Sequence, residues 1–249
     1  VGQKMNHLNI VIPAAGLGKR FNTNKPKPLL DVNGKPMLAR VLENFNQHLN
    51  VSFTVCILKE HESKYNIIDT IYEYIKEQDI DVTYFIVNEL QAGPAKTCYL
   101  TKEVLDEEEQ LIIVNCDQII FDLDLSKFIN FANKNGVDGV VGTFYSNSPK
   151  NSYIKLDDEG NITQIKEKIV LSNYATNGLH YWSKAKHFYN SCDKMFANND
   201  TVNNEFYIAP SYNYMIDDGM KVIQYFFNEH YPIGIPQDLE KFKKLYANF

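Results

Sequence analysis

The chain reads as a three-layer α/β domain with a mixed, mainly parallel sheet, and three observations predict it. Apolar runs alternate with helical periods through the first half, closely spaced strand patterns fill the second, and glycine-bearing loops fall at the strand ends. Composition agrees, since 249 residues at 44% hydrophobic and 22% charged suffice for one core or a core with a small subdomain.

In the first half "LNIVIP" (8–13) reads as a strand and "PMLARVLENFNQ" (36–47) as a helix. "VSFTVCILK" (51–59) is a second strand, and "YNIIDTIYEYIKEQ" (65–78) an amphipathic helix with Ile67, Ile71, Tyr74 and Ile75 on one face. "VTYFIV" (82–87) is a third strand, Pro94 opens a helix at its first turn, and "LIIVNCD" (111–117) is a fourth strand. Strands alternating with helices make βαβ units and a parallel sheet covered on both faces. Ligands of such sheets sit outside the carboxyl ends of the strands, where the loop after "LNIVIP", "NELQAGPA" (88–95) and "NCDQ" (115–118) all fall.

The second half is read differently. "GVVGTFYS" (139–146), "SYIKL" (152–156) and "ITQIKEK" (162–168) are strands in close succession, the last two joined by the turn "DDEG" as an antiparallel hairpin. "NYATNGLHYW" (173–182) is a further strand, followed by helices near 183–195 and 204–217 and a short helix from Pro236. No repeat, low-complexity tract or linker interrupts the chain. Residues 1–249 are therefore expected to form one domain whose halves, about 5–135 and about 136–249, share a core and enclose a cleft.

A net charge of −6 argues against nucleic acid as a partner, because surfaces that track a phosphate backbone are usually basic. No apolar run approaches the roughly 20 residues that span a bilayer, and no signal-peptide core is seen, so a cytoplasmic protein without a membrane partner is expected. Cys56, Cys98, Cys116 and Cys192 are isolated and mostly within apolar stretches, which suits buried reduced thiols rather than a disulfide framework or zinc knuckle. The histidines show no ligand spacing.

The stretch after the first strand, "AAGLGKRFNTNKPKPLL", is too densely punctuated for one helix or strand. It lacks the third glycine of a dinucleotide fingerprint, Phe21 standing there, and it is no P-loop because Arg20 follows Lys19. A surface turn with solvated cations would account for a lone GxG. Proline on either side of Lys27, however, fixes the backbone that carries it, which suits a glycine loop whose amides ring a phosphate chain with Arg20 and Lys27 aimed at the same charge.

"AAGLGKRF…KPKPLLDVNGKPML" resembles the signature of the sugar-nucleotide pyrophosphorylases. These nucleotidyltransferases join a nucleoside triphosphate to a phosphorylated acceptor and release pyrophosphate. The resemblance implies a Rossmann-like, GT-A-like nucleotidyltransferase fold, with a nucleotide-binding half (about 5–135) and an antiparallel acceptor-binding subdomain in the second half (about 136–249). It implies that Ala14, Ala15, Gly16, Gly18 and Lys19 wrap the triphosphate while Arg20 and Lys27 neutralise it. "NELQAGPAKT" is similar to the base-reading loop, with Asn88 at the base-contacting amide and Gln91 and Gly93 beside it. "VNCDQ" is similar to the strand ending in the metal-binding aspartate, here Asp117, and so implies Mg²⁺ as cofactor.

"IKEK" and "SNYATNGLHYW" are similar to the acceptor pocket. By that resemblance Glu167 holds acceptor hydroxyls, Lys168 takes the acceptor phosphate, and Ser152, Asn177 and Gly178 complete the lining. Asn203, Asn204 and Glu205, polar residues ahead of an aromatic run, are candidates for the same side. Arg20, Lys27, Asp117 and Lys168 are the catalytic candidates.

The residues also support this reading independently. A planar amide such as Asn88 or Gln91 donates and accepts at once and can match a nucleobase edge, although Asn88 could equally just end a strand. A carboxylate ending an apolar strand, as Asp117 does, is costly unless paired or metal-bound. Adjacent Glu167 and Lys168 should point to opposite faces of a strand unless a twist or bulge intervenes, so a solvated pair is the plain alternative.

Two departures from the family pattern stand out. Pro232 occupies the place of the second metal-binding aspartate in "PIGIPQDLEKF", leaving Asp117 with waters and phosphates, or with another acid such as Glu205 or Glu229. Ser152 replaces a glycine that approaches the sugar, which suggests an acceptor other than a common hexose phosphate. The chain stops soon after the terminal motif, as in the short form without a β-helix domain. For that form CTP or UTP, a phosphorylated acceptor and a role in surface-polysaccharide or capsule biosynthesis are expected, and the aromatic-rich second half would suit a homodimer. The rivals are a glycosyltransferase using the DxD at Asp122 and Asp124, and a non-catalytic nucleotide-binding regulator.

Overall fold

Continuous apolar strands need cover on both faces, and the sheet obtains it from two layers of helices. The computed structural model describes residues 7–47 and 50–249. β1 (Leu8–Pro13) leads through the glycine loop to a short hairpin, β2 (Asp31–Val32) and β3 (Lys35–Pro36), then α1 (Met37–Phe45), β4 (Val51–Leu58), α2 (Lys59–Tyr65), α3 (Ile67–Ile75) and β5 (Val82–Val87). α4 (Pro94–Tyr99), β6 (Gln110–Val114), β7 (Gln118–Ile120), α5 (Leu125–Asn135) and β8 (Gly139–Tyr145) follow. The chain continues through β9 (Ser152–Leu156), β10 (Ile162–Glu167), β11 (Tyr174–Trp182), α6 (Ala185–Ala197), α7 (Tyr212–Asp217), β12 (Val222–Phe226), β13 (His230–Pro232) and α8 (Pro236–Leu245).

β5, β4, β1 and β6 form the parallel block. β11 enters antiparallel beside β6, β8 pairs antiparallel with β11, and β12 closes that edge parallel to β8. The β9–β10 hairpin meets the first part of β11 at Ala175 and Tyr153. Strand alternation sorts the core into two layers. Ile10, Ile12, Val55, Ile57 and Ile112 pack with α1, α3 and α5, whereas Val11, Cys56, Leu111 and Ile113 pack with α4, α6 and α7. This is the expected three-layer, mainly parallel sheet with an antiparallel extension. All four cysteines are buried and free, as expected.

Several local expectations are corrected. The helix expected over 65–78 is α3 alone, because Asn66 is left-handed (φ 50°) and separates it from α2. Tyr74 lies 42% exposed, off the face made by Ile67, Ile71 and Ile75. The helix expected from 204 starts only with a 3₁₀ turn at Ala209, because Asn203 and Asn204 are both left-handed (φ 53° and 61°). α2, α5, β12 and the β7–β13 pair were not anticipated. The signals for α5 are present: Asp124 caps it by accepting from the Lys127 amide (2.9 Å), and Gly136 ends it in the left-handed region.

Candidate active site

A cleft of about 740 Å³ opens where β1 and β6 end, and the loop after β1 forms one wall. Ala14 is tied to the sheet, its amide donating to the Cys56 carbonyl (2.8 Å), and Ala15 is buried beneath the loop. Beyond them the amides of Gly16, Leu17 and Gly18 donate to no acceptor among the described residues. Gly18 is left-handed (φ 62°), and a Cβ there would stand 3.3 Å from Lys27 Cβ, so the loop folds back onto the lysine. Pro26 and Pro28 hold Lys27 in a 3₁₀ turn, Lys27–Leu29. Lys19, Arg20 and Lys27 all line the cleft, which fits the expected cradle for negative charge.

Asp117 stands at the floor, just past β6, and Lys27 Nζ donates to its Oδ2. Burial alone would depress the Lys27 ammonium, but the Asp117 carboxylate and their hydrogen bond outweigh it and leave the pKa above the ordinary lysine value. A Cβ on Gly234 would collide with Asp117, and the Ile233 amide donates to the Asp117 carbonyl (2.8 Å), so the terminal motif clamps the aspartate from behind. Oδ1 of Asp117 has no hydrogen-bond partner among the described residues. One carboxylate oxygen of a residue that lines the cleft is thus left without a protein partner, which fits the way Mg²⁺ is usually held beside nucleotides, by one or two carboxylates plus phosphate oxygens. No cluster of three or more acidic, histidine or cysteine ligands exists among the described residues.

The opposite wall carries the acceptor candidates. Lys168 is left-handed (φ 58°) at the end of β10, which breaks the strand alternation and lets Glu167 and Lys168 both line the cleft. Ser152 donates to Glu167 Oε2. Burial pushes the Glu167 carboxyl above the usual carboxylate range, against the opposing pull of Ser152, Lys168 and Arg20. Lys168 Nζ donates to the Tyr207 hydroxyl (2.8 Å) and lies 4.7 Å from that ring's centre, and the hydroxyl donates on to Glu205 Oε2 (2.8 Å). Asn177 and Gly178 sit at an irregularity of β11, Gly178 at φ 78°, and both line the cleft.

Placement separates the candidates. Ala15, Gly16, Gly18, Lys19, Arg20, Lys27, Gln91, Gly93, Asp117, Ser152, Glu167, Lys168, Asn177, Gly178 and Glu205 converge on this one cleft. Ala14 lies beneath the loop, while Asn88 and Asn204 are exposed and outside the lining. Gln91 is the amide of the 88–95 loop that lines the cleft, its Nε2 donating to the Glu89 carbonyl (3.0 Å). Gly93 (φ 102°) presses against Phe206, where any Cβ would meet the backbone oxygen at 2.5 Å, and so joins the 88–95 loop to the opposite wall. Glu229 is not in the lining, but Asp238 is. Gln118, His180, His230 and Asp238 line the cleft but were missed by sequence reading, although three of them lay within motifs already noted: Gln118 next to Asp117, His180 in "NYATNGLHYW" and Asp238 in the terminal motif.

A family model described as nucleotidyl transferase matches residues 9–247. The chain belongs to the nucleotidyl transferase family. Among curated members of known name, it is 30% identical over 193 residues to the 2-aminoethylphosphonate cytidylyltransferase of Lancefieldella rimae, covering 73% of this chain and 70% of that protein. It is 28% identical over 184 residues to the bifunctional protein GlmU of Methanococcus vannielii, covering 70% of this chain and 40% of that one. The chain thus spans about two fifths of the length of that GlmU relative. Among solved structures, the nucleoside-diphosphate-sugar pyrophosphorylase of Vibrio cholerae superposes with a TM-score of 0.80 at 18% identity, covering 94% of this chain and 99% of that one, which shows a shared fold. The DxD rival of this nucleotidyl transferase reading loses its chemistry, since Asp122 accepts the Asn228 and Glu229 amides, Asp124 caps α5, and neither lines the cleft.

Proposed function

We propose that this cleft transfers a cytidylyl group from CTP to a small phosphorylated acceptor and releases pyrophosphate. The observation that carries the reading is the Lys27–Asp117 pair, set by the proline-flanked turn at the floor of a cleft whose other wall presents Glu167 and Lys168. CTP is favoured over UTP by the similarity to a cytidylyltransferase at 30% identity.

The chemistry needs no general base. A phosphate monoester is largely dianionic at neutral pH, its second pKa being about 6, so its oxygen is already a nucleophile. That oxygen attacks the α-phosphorus in line, a new P–O bond forms, and the bond to the β-phosphate breaks with its electrons leaving on pyrophosphate. The amides of Gly16, Leu17 and Gly18 hold the triphosphate, and Arg20 and Lys27 take up the charge that develops on the leaving group. Lys168, steadied by Tyr207, positions the acceptor phosphate, while Glu167 receives the acceptor's hydrogen-bond donors. Mg²⁺ would be held by Asp117 together with phosphate oxygens, and it would add positive charge at the same place. A product of this kind suits the expected surface-polysaccharide role, as an activated head group.

The test is pyrophosphate release with Mg²⁺, offering CTP, UTP, dTTP, ATP and GTP singly against pooled phosphorylated sugars, polyols and amino alcohols. Release dependent on CTP and on one acceptor pool is expected. Nucleotide binding without release from any pool would instead select the non-catalytic regulator.

A further inference from the structure

Gln118 and His230 have no role in the reading above, and Asn177 enters it only as part of the expected acceptor lining. Gln118 and Asn177 are 3% and 2% exposed and line the cleft with His230. Gln118 Nε2, Asn177 Nδ2 and His230 Nδ1 are buried without a hydrogen-bond partner among the described residues. Their other polar atoms are engaged. Asn177 Oδ1 accepts from the Leu179 amide (3.1 Å), and Gln118 Oε1 lies 3.2 Å from His230 Nε2. That contact places the imidazole proton on Nε2 and leaves Nδ1 a lone pair.

Gln118 and His230 touch, and Asn177 lines the same cleft. Asn177 packs on Gly142, where a Cβ would collide with its side chain, and the His230 ring lies 4.4 Å from that of Phe144. Gly142 and Phe144 are alternate residues on one face of β8, about 7 Å apart. Gln118 Nε2 comes within 2.8 Å of where a Cβ on Gly178 would stand, one residue on from Asn177. Leaving a buried polar group unpaired costs about 1–3 kcal/mol, and native folds rarely gather several in one place without a ligand or water to meet them. Two amide donors and one lone pair are the complement of a hydroxyl, which donates once and accepts twice.

We infer that Gln118 and His230, with Asn177 beside them, form a hydroxyl-reading subsite that sets the acceptor class: phosphates bearing a free hydroxyl, such as polyol or sugar phosphates, over hydroxyl-free aminoalkyl phosphates and phosphonates. The inference rests on the nucleotidyltransferase reading of the cleft. It also separates this chain from the relative named for 2-aminoethylphosphonate, a compound without a hydroxyl on its carbon chain.

The experiment compares wild type, Gln118→Leu and His230→Phe. Pyrophosphate release is measured from glycerol 3-phosphate, ribitol 5-phosphate and glucose 1-phosphate against phosphoethanolamine, phosphocholine and 2-aminoethylphosphonate, with nucleotide binding followed separately by calorimetry. Wild type should favour the hydroxyl-bearing set. Each variant should bind nucleotide as wild type does and lose about 10- to 100-fold in kcat/KM toward hydroxyl-bearing acceptors, with hydroxyl-free ones little changed. Should Gln118→Leu fail to fold, His230→Phe carries the same test. Preference of the wild type for the hydroxyl-free set overturns the subsite, as do unchanged variants or nucleotide binding with no acceptor used. Failure to bind any nucleotide is a different result, since it removes the reading on which the subsite depends.

Discussion

The wall from Pro13 to Lys27 and the wall assembled from β10, β11 and residues 205–230 face each other across one cleft, yet they meet a ligand differently. The first is a single contiguous stretch of backbone amides and three cations, of which Lys27 is already paired with Asp117. The second is drawn from distant segments, and what it offers is mostly neutral and buried: amides, imidazoles and a carboxyl made harder to ionise by its burial. Burial pushes the pKa of His180 down to about 3 and that of His230 to about 4, so both rings are neutral at physiological pH. Adjacent backbone groups and cations can be arranged by a local motif, whereas buried uncharged groups from distant segments are brought together only by tertiary packing.

The contrast predicts that the largest loss comes from the first wall. Lys27→Ala should lower kcat about 10³-fold, in the range seen when a charge-stabilising donor is removed from a transition state. The circular dichroism spectrum should stay native, because Asp117 retains about one fifth of its side-chain exposure and can be solvated once its partner is gone. A variant with normal turnover would show that the cations of this wall serve binding alone.

Legibility follows the same division. The opening loop could be read because its glycines, prolines and cations are adjacent in sequence and each has a backbone meaning. Glu167 and Lys168 were found by resemblance, yet their common orientation depends on a left-handed Lys168 that strand alternation does not foretell. Gln118 and His180 lay inside motifs already noted and His230 outside them, but what sets all three apart is the partners that they lack, which is visible only after β7, β11 and β13 have been brought together. Asn88 follows β5 on the exposed edge, outside the cleft lining that includes Gln91.

Next in size is a stability effect on the second wall. Gly178→Ala should lower stability by about 2–3 kcal/mol, since φ 78° is strained for alanine and its Cβ would stand 2.5 Å from Asn115 Nδ2 and 2.8 Å from Gln118 Nε2. Gly16→Ala on the first wall meets nothing within 4 Å and should cost little in denaturant unfolding. Equal losses at the two glycines would remove the distinction between an open cradle and a packed wall.

Glu167→Gln should raise the acceptor KM about 10-fold and leave the nucleotide KM unchanged. It should also raise Tm at pH 7.5. Burial lifts the folded pKa of Glu167 above its unfolded value, so the native state holds the proton more tightly and stability falls as pH rises from the unfolded pKa through the folded one. The glutamine variant escapes that fall. Its gain should vanish near pH 4, where the wild-type carboxyl is protonated in both states, and a gain independent of pH would assign the effect to packing instead.

The smallest effect tests the charged pair within the second wall. Tyr207→Phe removes the hydroxyl that accepts from Lys168 and donates to Glu205, but keeps the ring 4.7 Å from the ammonium. Lys168 then loses one acceptor, an uncharged hydroxyl, but keeps the ring beneath its ammonium, so the acceptor KM should rise only about 3- to 10-fold, with kcat nearly unchanged. If kcat fell instead, Lys168 would be acting on the reacting phosphates rather than steering the acceptor. Stabilisation of the charge in transit would then be shared by both walls, and the division between a charged cradle and a neutral reader would hold for the ground state alone.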